Sequence, residues 1–377
     1  MKIAIYGGAF NPVHNEHINI VRAAIDELSL DKVIVVPTAI SPHKRTSVTA
    51  RGRDRLNMCR LAFKNESNVE VSDYELKRGG ISYSYVTCRH FKKLYPDGEL
   101  FFIMGADMFG CFHLWKEPEE ILKCATLAVC ARENAKGLDN DIKSFNRRFG
   151  TEAVKFSYVG KAVSSTRVRA LAALGEDIAA FVPEEVRNFI RKNSIYKLNG
   201  IAEVKKLLTD ERWEHTVRVA VSAAEHARQA GVFEEDALIA SMLHDCAKYL
   251  SPLSDELKGF TPPDKVSPPV MHQFSGAYVA EHTFGIKDTS ILNAIRYHTT
   301  GRENMTSLEK LIYLADMLEE GRTFPEVEKL RKLFDADING CLAAALDHQL
   351  EYLKSTGAEI SPLTRRARAY MKETYDK

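Results

Sequence analysis

The sequence predicts an α/β domain with a mostly parallel sheet, followed by an all-α domain. Up to about residue 195, short β-rich runs alternate with amphipathic helical stretches, and the runs include KIAIYG, KVIVVP, ELFFIMG and ATLAVCA. Such alternation is typical of βαβ units, and wholly apolar strands such as VIVVP suit a sheet that helices cover on both faces. From about residue 200 the patterns are helical, and no convincing strand is predicted.

Length and composition favour two domains in a globular enzyme-sized chain. The 377 residues exceed one ordinary core, and we place the domains at residues 1–197 and 198–377, because Asn199 and Gly200 separate two helical patterns. The net charge of +1 argues against nucleic-acid or membrane partners that depend on a bulk electrostatic field. Seven cysteines without a C-x-x-C pair argue against a disulfide framework. No apolar run suits a membrane span or signal peptide, so we expect a cytoplasmic protein.

The first motif, GGAFNPVHNEH, directly follows the first predicted strand. Glycines at this edge of a parallel sheet let backbone N–H groups approach phosphate oxygens. His14 and His17 stand near the start of the next helix, where the helix dipole favours anions and both imidazoles can bind one phosphate. The candidate nucleotide-binding residues of the turn itself are Gly7, Gly8, Ala9 and Phe10.

A second motif, VSSTRVR at residues 163–169, also has the composition of a helix start. The hydroxyl residues Ser164, Ser165 and Thr166 can cap that helix while they offer donors to phosphate groups. Arg169 adds a bidentate donor. The motif therefore indicates a second phosphate-binding position.

Together these motifs resemble the H-x-G-H and [IV]-S-S-T-x-x-R motifs of the nucleotidyltransferase superfamily. Between them, SPHK (41–44), ISYS (81–84), MGADMF (104–109) and LWKE (114–117) resemble, in order and spacing, motifs of bacterial nicotinate mononucleotide adenylyltransferases. The resemblance implies a Rossmann-like domain that transfers AMP from ATP, with Mg²⁺, to nicotinate mononucleotide. The products would be deamido-NAD and pyrophosphate.

The same resemblance implies roles for particular residues. His14 and His17 would hold the α- and β-phosphates, Lys44 and Arg169 would neutralise the triphosphate, and Trp115 would stack on the nicotinate ring. Further substrate contacts are implied for Ser82, Tyr83, Ser84, Gly105, Asp107 and Arg132. Because the acceptor phosphate attacks the α-phosphorus directly, catalysis would consist of positioning and charge stabilisation.

Two residues depart from the family pattern in a way that bears on ATP. Ala9 replaces a Thr or Ser and lacks its hydroxyl, and Glu16 replaces a Gly. Glu16 adds bulk and negative charge beside the triphosphate position, although a glutamate at a helix start can point to water. These departures are compatible with a slowed or retuned transferase.

The helical half contains six candidate metal ligands, which are His215, His244, Asp245, His272, His298 and Asp316. The adjacent His244 and Asp245 lie in the apolar pattern ALIASMLHDCAKYL, which we interpret as a helix. Burying that carboxylate is costly unless a cation or a donor meets it. Mixed imidazole and carboxylate ligands suit iron, manganese or zinc better than calcium.

The order H…HD…D resembles the HD superfamily of metal-dependent phosphohydrolases, with two extra histidines as in its two-metal members. EHTVRVA, ASMLHDCAKYL, IRYHTTGR and EKLIYLADMLEEGRTFPEVEKLR resemble bacterial HD hydrolases that split diadenosine tetraphosphate symmetrically into two ADP. The resemblance implies one or two transition metal ions, with iron favoured and manganese or zinc as alternatives. Asp245 and Lys248 would act in catalysis and Arg302 would bind the nucleotide, whereas a solvated surface position is the alternative for both basic residues.

These observations predict a bifunctional enzyme whose partners are ATP, nicotinate mononucleotide and diadenosine tetraphosphate, with a homo-oligomer left open. One alternative makes one half a nucleotide-binding regulatory module; Ala9 and Glu16 favour it for the first half, and the complete ligand set opposes it for the second. Another acceptor, such as phosphopantetheine, is opposed by SPHK and Trp115. Hydrolysis of another nucleotide phosphoester by the second half is opposed by the resemblance alone.

Overall fold

The computed structural model describes residues 1–40, 50–132, 137–160, 163–264 and 266–375. These residues form two compact units. The first contains the described residues of 1–169 together with Asp177–Ile195, and the second contains Ala170–Glu176 and the described residues from Tyr196 onward. None of the helices formed by the described residues is long and apolar enough to cross a membrane.

The first unit is built on a six-stranded sheet in which every neighbouring pair is parallel. Its strands are β1 (Lys2–Gly8), β2 (Lys32–Pro37), β3 (Val69–Val71), β4 (Glu99–Gly105), β5 (Thr126–Arg132) and β6 (Val154–Gly160). Their order is β3-β2-β1-β4-β5-β6. Because the order reverses between β1 and β4, a ligand crevice is expected outside their carboxyl ends, at Gly8 and Gly105.

The helices before residue 200 connect and cover these strands. They are α1 (Asn15–Leu28), α2 (Gly52–Ala62), α3 (Tyr74–Arg78), α4 (Ser84–Leu94), α5 (Ala106–Gly110), α6 (Pro118–Leu122), α7 (Leu138–Phe149), α8 (Ser165–Ala173) and α9 (Glu184–Lys192). The strands are apolar because helices cover the sheet, and Ile3, Ile5 and Ile34 are fully buried. The predicted Rossmann-like α/β fold is confirmed.

The second unit is helical, and its described residues form no strand. Its helices are α10 (Ile201–Leu207), α11 (Asp210–Ala230), α12 (Glu234–Leu243), α13 (Pro268–His282), α14 (Thr289–Arg296), α15 (Ser307–Leu318), α16 (Val327–Ala336), α17 (Ile338–Ser355) and α18 (Pro362–Thr374). Helix α11 packs against α12 and α15, and α14 packs against α13 and α15. The predicted all-α second domain is confirmed.

The prediction that His244 and Asp245 lie inside a helix is wrong. Helix α12 ends at Leu243, and the chain continues in turns closed by Cys246 N–H to the Leu243 carbonyl (3.2 Å) and Lys248 N–H to the Asp245 carbonyl (2.9 Å). His244 therefore stands at the end of α12 and Asp245 in the turn that follows, a boundary that apolar periodicity does not reveal.

Candidate active sites

The loop after β1 places two histidine rings together at the start of α1. His14 is the residue before the helix, and its backbone N–H donates to Nδ1 of His17 at 3.1 Å. Because a backbone N–H can only donate, Nδ1 of His17 must accept, and the proton of its neutral ring lies on Nε2. The two ring centroids are 3.7 Å apart. His17 is thus prepared to donate from Nε2 to an anionic oxygen.

A buried arginine that the sequence analysis missed supports this loop. Arg55 of α2 is 5% exposed and donates from Nη1 to the Ala9 carbonyl (2.7 Å) and from Nη2 to the Thr38 carbonyl (2.6 Å). Asn11 Oδ1 accepts from the backbone N–H of Ala50 at 3.0 Å. Arg55 lies in the charged pattern GRDR, which looks solvent-exposed, so no sequence signal marks it as buried.

The GGAFNPVHNEH and VSSTRVR motifs meet in the structure. Ser164 Oγ accepts from the backbone N–H of Arg167 at 3.0 Å and caps α8, as predicted, while Ser165 Oγ donates to the Pro12 carbonyl at 3.0 Å. Arg169 is 4% exposed and donates to the Asn11 carbonyl (2.6 Å) and to Thr166 Oγ1 (2.9 Å). Arg169 therefore joins α8 to the loop that carries the histidines.

The candidate acceptor-site residues lie on the first unit with partners of their own. Ser82 Oγ accepts from the Ala39 backbone N–H at 2.9 Å, and the Lys116 ammonium lies 4.5 Å from the centre of the Tyr83 ring. Ser84 is the first residue of α4. These contacts fix the backbone between β2 and α4.

Trp115 is half-buried, with its ring 5.9 Å from that of Phe102 and 5.5 Å from that of Phe112. Gly105 ends β4, and Asp107 is exposed in the short helix α5 that follows. These three residues thus lie at or after the carboxyl end of β4. Lys44 and the SPHK motif lie outside the described residues, as does the side chain of Arg132.

Glu16 does not point to water, so that expectation is corrected. It is 6% exposed, and its carboxylate accepts from the Tyr158 hydroxyl at 2.8 Å and from Asn19 Nδ2 at 3.2 Å. Burial and the hydrogen bond with Glu16 raise the pKa of Tyr158 to about 12, so the hydroxyl stays protonated and donates. The Glu16 carboxylate is therefore hydrogen-bonded to a side chain of β6.

In the helical unit, the structure brings all six candidate metal ligands into one buried cluster. The ligand atoms of His215, His244 and Asp245 lie within 4.8 Å of one another, as do those of Asp245, His272 and His298. Asp316 joins the first group, because its Oδ1 lies 3.0 Å from Nε2 of His215. The two groups share Asp245, whose side chain is 1% exposed.

Backbone carbonyls fix the orientation of two of the imidazoles. Nδ1 of His244 lies 2.6 Å from the Ser241 carbonyl, and Nδ1 of His298 lies 2.7 Å from the Ile295 carbonyl. A carbonyl can only accept, so each Nδ1 carries a proton, and each neutral ring presents a lone pair at Nε2. These lone pairs face Asp245 at 3.4 Å from His244 and 3.5 Å from His298.

Acceptors that face acceptors in a buried site fit a bound cation. Nε2 of His244 has no hydrogen-bond partner among the described residues, and His272 Nε2 lies 3.2 Å from His298 Nε2 and 3.3 Å from Asp245 Oδ1. Burying such groups is costly unless something positive lies between them. The arrangement therefore fits a divalent metal held by imidazole and carboxylate ligands.

Burial and hydrogen bonding shift the pKa values of two cluster histidines in opposite directions. Burial lowers the pKa of His272 to about 3, so this ring is neutral near pH 7 and free of a competing proton. Burial also lowers the pKa of His215, but hydrogen bonds with Asp316 and Glu319 prevail and raise it.

Glu319 is a buried carboxylate beside the cluster that the sequence analysis missed. It is 2% exposed, and its Oε1 lies 3.1 Å from Nδ1 of His215, while Oε2 accepts from Arg218 Nε and from the Gly321 N–H at 2.6 Å each. Burial opposes its ionisation, but these donors lower its pKa to about 2. Its spacing three residues after Asp316 was the available signal.

The basic candidates occupy different surroundings. Lys248 Nζ lies 3.1 Å from Asp245 Oδ2, as does Nη1 of Arg212, which the sequence analysis did not single out. Arg302 instead donates to the buried Glu309 at 2.8 Å and lies 5.2 Å from the centre of the Tyr297 ring. Lys248 is therefore positioned at the cluster, and Arg302 is paired with another carboxylate.

A parallel sheet with the GGAFNPVHNEH and VSSTRVR motifs at its switch point, followed by a helical unit with an H…HD…D cluster, is the arrangement of a nucleotidyltransferase domain joined to an HD domain. Residues 5–171 match the family model described as cytidylyltransferase-like, and residues 212–321 match the HD domain model. The HD domain implies a divalent metal, in agreement with the fit of the cluster.

The chain belongs to the nicotinate-nucleotide adenylyltransferase/Ap4A hydrolase family, in which Ap4A is diadenosine tetraphosphate. A relative of that name from Mycoplasma pneumoniae is 30% identical over 86% of this chain and 90% of its own length. A second relative of the same name, from Mycoplasma genitalium, is 28% identical over 94% of this chain and 99% of its own length. A Clostridium tetani protein named nicotinate-nucleotide adenylyltransferase is 36% identical over 52% of this chain and 99% of its own length. The predicted family and the prediction of an enzyme are confirmed.

Proposed function

We propose that the first unit transfers AMP from ATP to nicotinate mononucleotide, giving deamido-NAD and pyrophosphate. The observation that carries this proposal is the meeting of the GGAFNPVHNEH and VSSTRVR motifs at the switch point, where Arg169 joins them through the Asn11 carbonyl at 2.6 Å. The names of three relatives support the choice of donor and acceptor. Mg²⁺ would accompany ATP as part of the substrate.

In this proposal the protein positions phosphates and supplies charge, because the acceptor phosphate is itself the nucleophile. His17 donates from Nε2 to a phosphate oxygen, since its Nδ1 is occupied by the His14 N–H at 3.1 Å. Arg55 acts indirectly, because it holds loop carbonyls and thereby orients backbone N–H groups. Arg169 holds the Asn11 carbonyl and adds positive charge that neutralises the triphosphate. Lys44 contributes further positive charge, and Trp115 stacks on the nicotinate ring.

The test compares nicotinate mononucleotide with nicotinamide mononucleotide at equal concentration, with ATP and Mg²⁺, and separates the products by chromatography. We expect deamido-NAD to form faster than NAD. Equal or better use of the amide would reject the acceptor assignment. Transfer to neither acceptor would leave the first unit as a nucleotide-binding module.

We propose that the helical unit hydrolyses diadenosine tetraphosphate symmetrically to two ADP, in the cytoplasm. The observation that carries this proposal is the buried cluster in which Asp245 is shared by two groups of possible ligands. Bound divalent metal would supply Lewis-acid charge to the phosphoryl oxygens. The six cluster residues would hold it, and manganese, iron and zinc all suit this mixture of ligands.

The remaining contribution of the chain is to hold the polyphosphate and its charge. Lys248 and Arg212 lie at 3.1 Å from Asp245, so both cations stand where a polyanion would approach the cluster. Arg302 would first have to exchange Glu309 for a phosphate oxygen. This exchange makes Arg302 the weaker candidate of the three.

The test incubates the full chain with diadenosine tetraphosphate after metal removal and after restoration with Mn²⁺, Fe²⁺ or Zn²⁺. We expect ADP as the sole nucleotide product, and only when metal is present. Formation of ATP and AMP would reject symmetrical cleavage. Activity on nucleoside monophosphates alone would favour the alternative phosphoester substrate.

A further inference from the structure

A cavity of about 510 Å³ lies beside the metal-binding cluster in the helical unit. Lys248 and His272 line the side that faces the cluster. The rest of the wall is largely hydrocarbon and includes Leu257, Phe260, Pro262 and Pro268. The Pro-rich stretch TPPDKVSPP thus contributes part of the wall of a cavity that has a cationic end and an apolar end.

We propose that this cavity binds the nucleoside of a nucleoside polyphosphate, with the base against Phe260 and the phosphates directed toward Lys248. The inference rests on the proposed hydrolase function and adds the position of the base to it. Nothing in the metal-ligand set requires an apolar cavity, because inorganic polyphosphate would be satisfied by the cations alone.

The size and chemistry of the cavity suit this ligand. Pockets for small organic ligands usually have volumes of about 300–1,000 Å³ and combine apolar walls with a few polar groups. A nucleotide has the same division, because its base is a flat π system and its phosphates are anionic. Bases stack on aromatic side chains whatever their sequence identity. Phe260 supplies the aromatic ring, and Lys248 supplies the charge.

The wall that carries Phe260 is held in place by the rest of the unit. The Tyr278 hydroxyl of α13 donates to the Lys258 carbonyl at 2.7 Å, and its ring centre lies 5.5 Å from that of Phe260. Gly259 between them has a φ of +91°, in the region that favours glycine. The Phe260 N–H donates to the Leu257 carbonyl at 2.9 Å. The platform is therefore formed before a ligand arrives.

The first experiment measures steady-state hydrolysis of diadenosine tetraphosphate by wild type and Phe260→Ala. Loss of one stacking ring should raise KM about 10-fold and leave kcat within about threefold. The matched control is Phe233→Ala, which removes the same ring from a side chain that is 58% exposed and outside the cavity wall. Inorganic tripolyphosphate, which lacks a base, should inhibit all three proteins equally. An unchanged KM in Phe260→Ala, or an equal rise in the tripolyphosphate inhibition constant, would overturn the proposal.

The second experiment locates the base directly and does not depend on hydrolysis. The full chain with Mn²⁺ is photolabelled with 2-azido-ADP, and the labelled peptides are mapped by mass spectrometry. We expect label on peptides that contain Phe260 or Met271, and excess ADP should prevent it. Labelling there without any tetraphosphate hydrolysis would reject the proposed activity but support the nucleoside site. Label confined to the first unit would reject the site.

Discussion

Replacement of Glu319 by glutamine tests how the helical unit prepares a metal ligand. The carboxylate accepts three hydrogen bonds, from His215 Nδ1, Arg218 Nε and the Gly321 N–H. Glutamine has a single accepting oxygen and two donors on its nitrogen. If the oxygen serves Arg218 and Gly321, the amide NH₂ faces His215, whose Nδ1 must then accept. The proton of the neutral ring moves to Nε2, which is the atom that faces Asp316 at 3.0 Å.

The magnitude follows from the change of tautomer at His215, because the amide no longer holds the ligand nitrogen in its accepting form. Loss of a group that orients a metal ligand usually weakens metal binding 10–100-fold. This factor corresponds to about 1.4–2.7 kcal/mol. We expect the upper part of this range for Glu319→Gln, because a protonated Nε2 cannot act as a ligand at all. The fold should persist, since the same ring can donate to Asp316 instead.

The assay titrates metal-free protein with Mn²⁺ and measures the free ion by electron paramagnetic resonance. The matched control is Glu309→Gln, which removes a different buried carboxylate that lies in α15 and pairs with Arg302 at 2.8 Å. The control should bind Mn²⁺ like wild type. Nitrogen NMR of the His215 ring gives a second measurement, because the two tautomers differ in chemical shift. Metal affinity of Glu319→Gln within twofold of wild type, with an unchanged tautomer, would refute the reasoning.

Four further predictions follow from the two sites. His17→Ala should lose about 2.7–4 kcal/mol of transition-state stabilisation in adenylyl transfer, while hydrolysis of diadenosine tetraphosphate persists. Loss of both activities would contradict the prediction that the two sites act independently. Elemental analysis should find two transition metal ions per chain, and His272→Ala should lose about one of them with most hydrolysis. Removal of the metal with a chelator should lower the melting temperature, because a ligand present at 1,000 times its Kd stabilises the folded state by about 4.1 kcal/mol. The pKa of Glu319 is about 2 in the folded chain, against 4.5 ordinarily, so its ionised carboxylate stabilises the metal-free fold above pH 4.5. Urea titrations should show that this stabilisation is lost as the pH falls toward 2, and that Glu319→Gln loses less stability over the same range.

The sequence predicted those features that depend on local composition. Apolar strands between amphipathic helices indicated the parallel sheet, and β1 ends at Gly8 within the motif that pointed to phosphate binding. The six histidine and aspartate candidates were visible because such residues are unusual in apolar helical patterns. All six meet in the structure. Residue type alone did not select them, because the chain has 12 histidines; their order and its resemblance to the HD superfamily did.

Features that depend on contacts between distant segments could not be predicted. Arg55 lies 46 residues from the Ala9 carbonyl that it holds, and Glu319 lies 104 residues from His215. Glu16 lies 142 residues from Tyr158, whose hydroxyl it accepts from. Each of these charged residues has a sequence context that favours exposure. Only the tertiary structure supplies the hydrogen-bond partner that compensates for the cost of burying it.

The ends of two helices explain why the cluster needs Glu319 in addition to its ligands. His244 and His298 lie one and two residues beyond α12 and α14, and each places Nδ1 on the carbonyl three residues earlier. Carbonyls in the last turn of a helix lack partners within the helix, so they are available to fix these rings. His215 lies inside α11, where the helix uses its own carbonyls, and it therefore takes its acceptor from another segment. Backbone carbonyls thus fix the tautomers of His244 and His298, and the Glu319 carboxylate fixes that of His215. Only the acceptor at His215 is a side chain, so only this one can be removed by substitution.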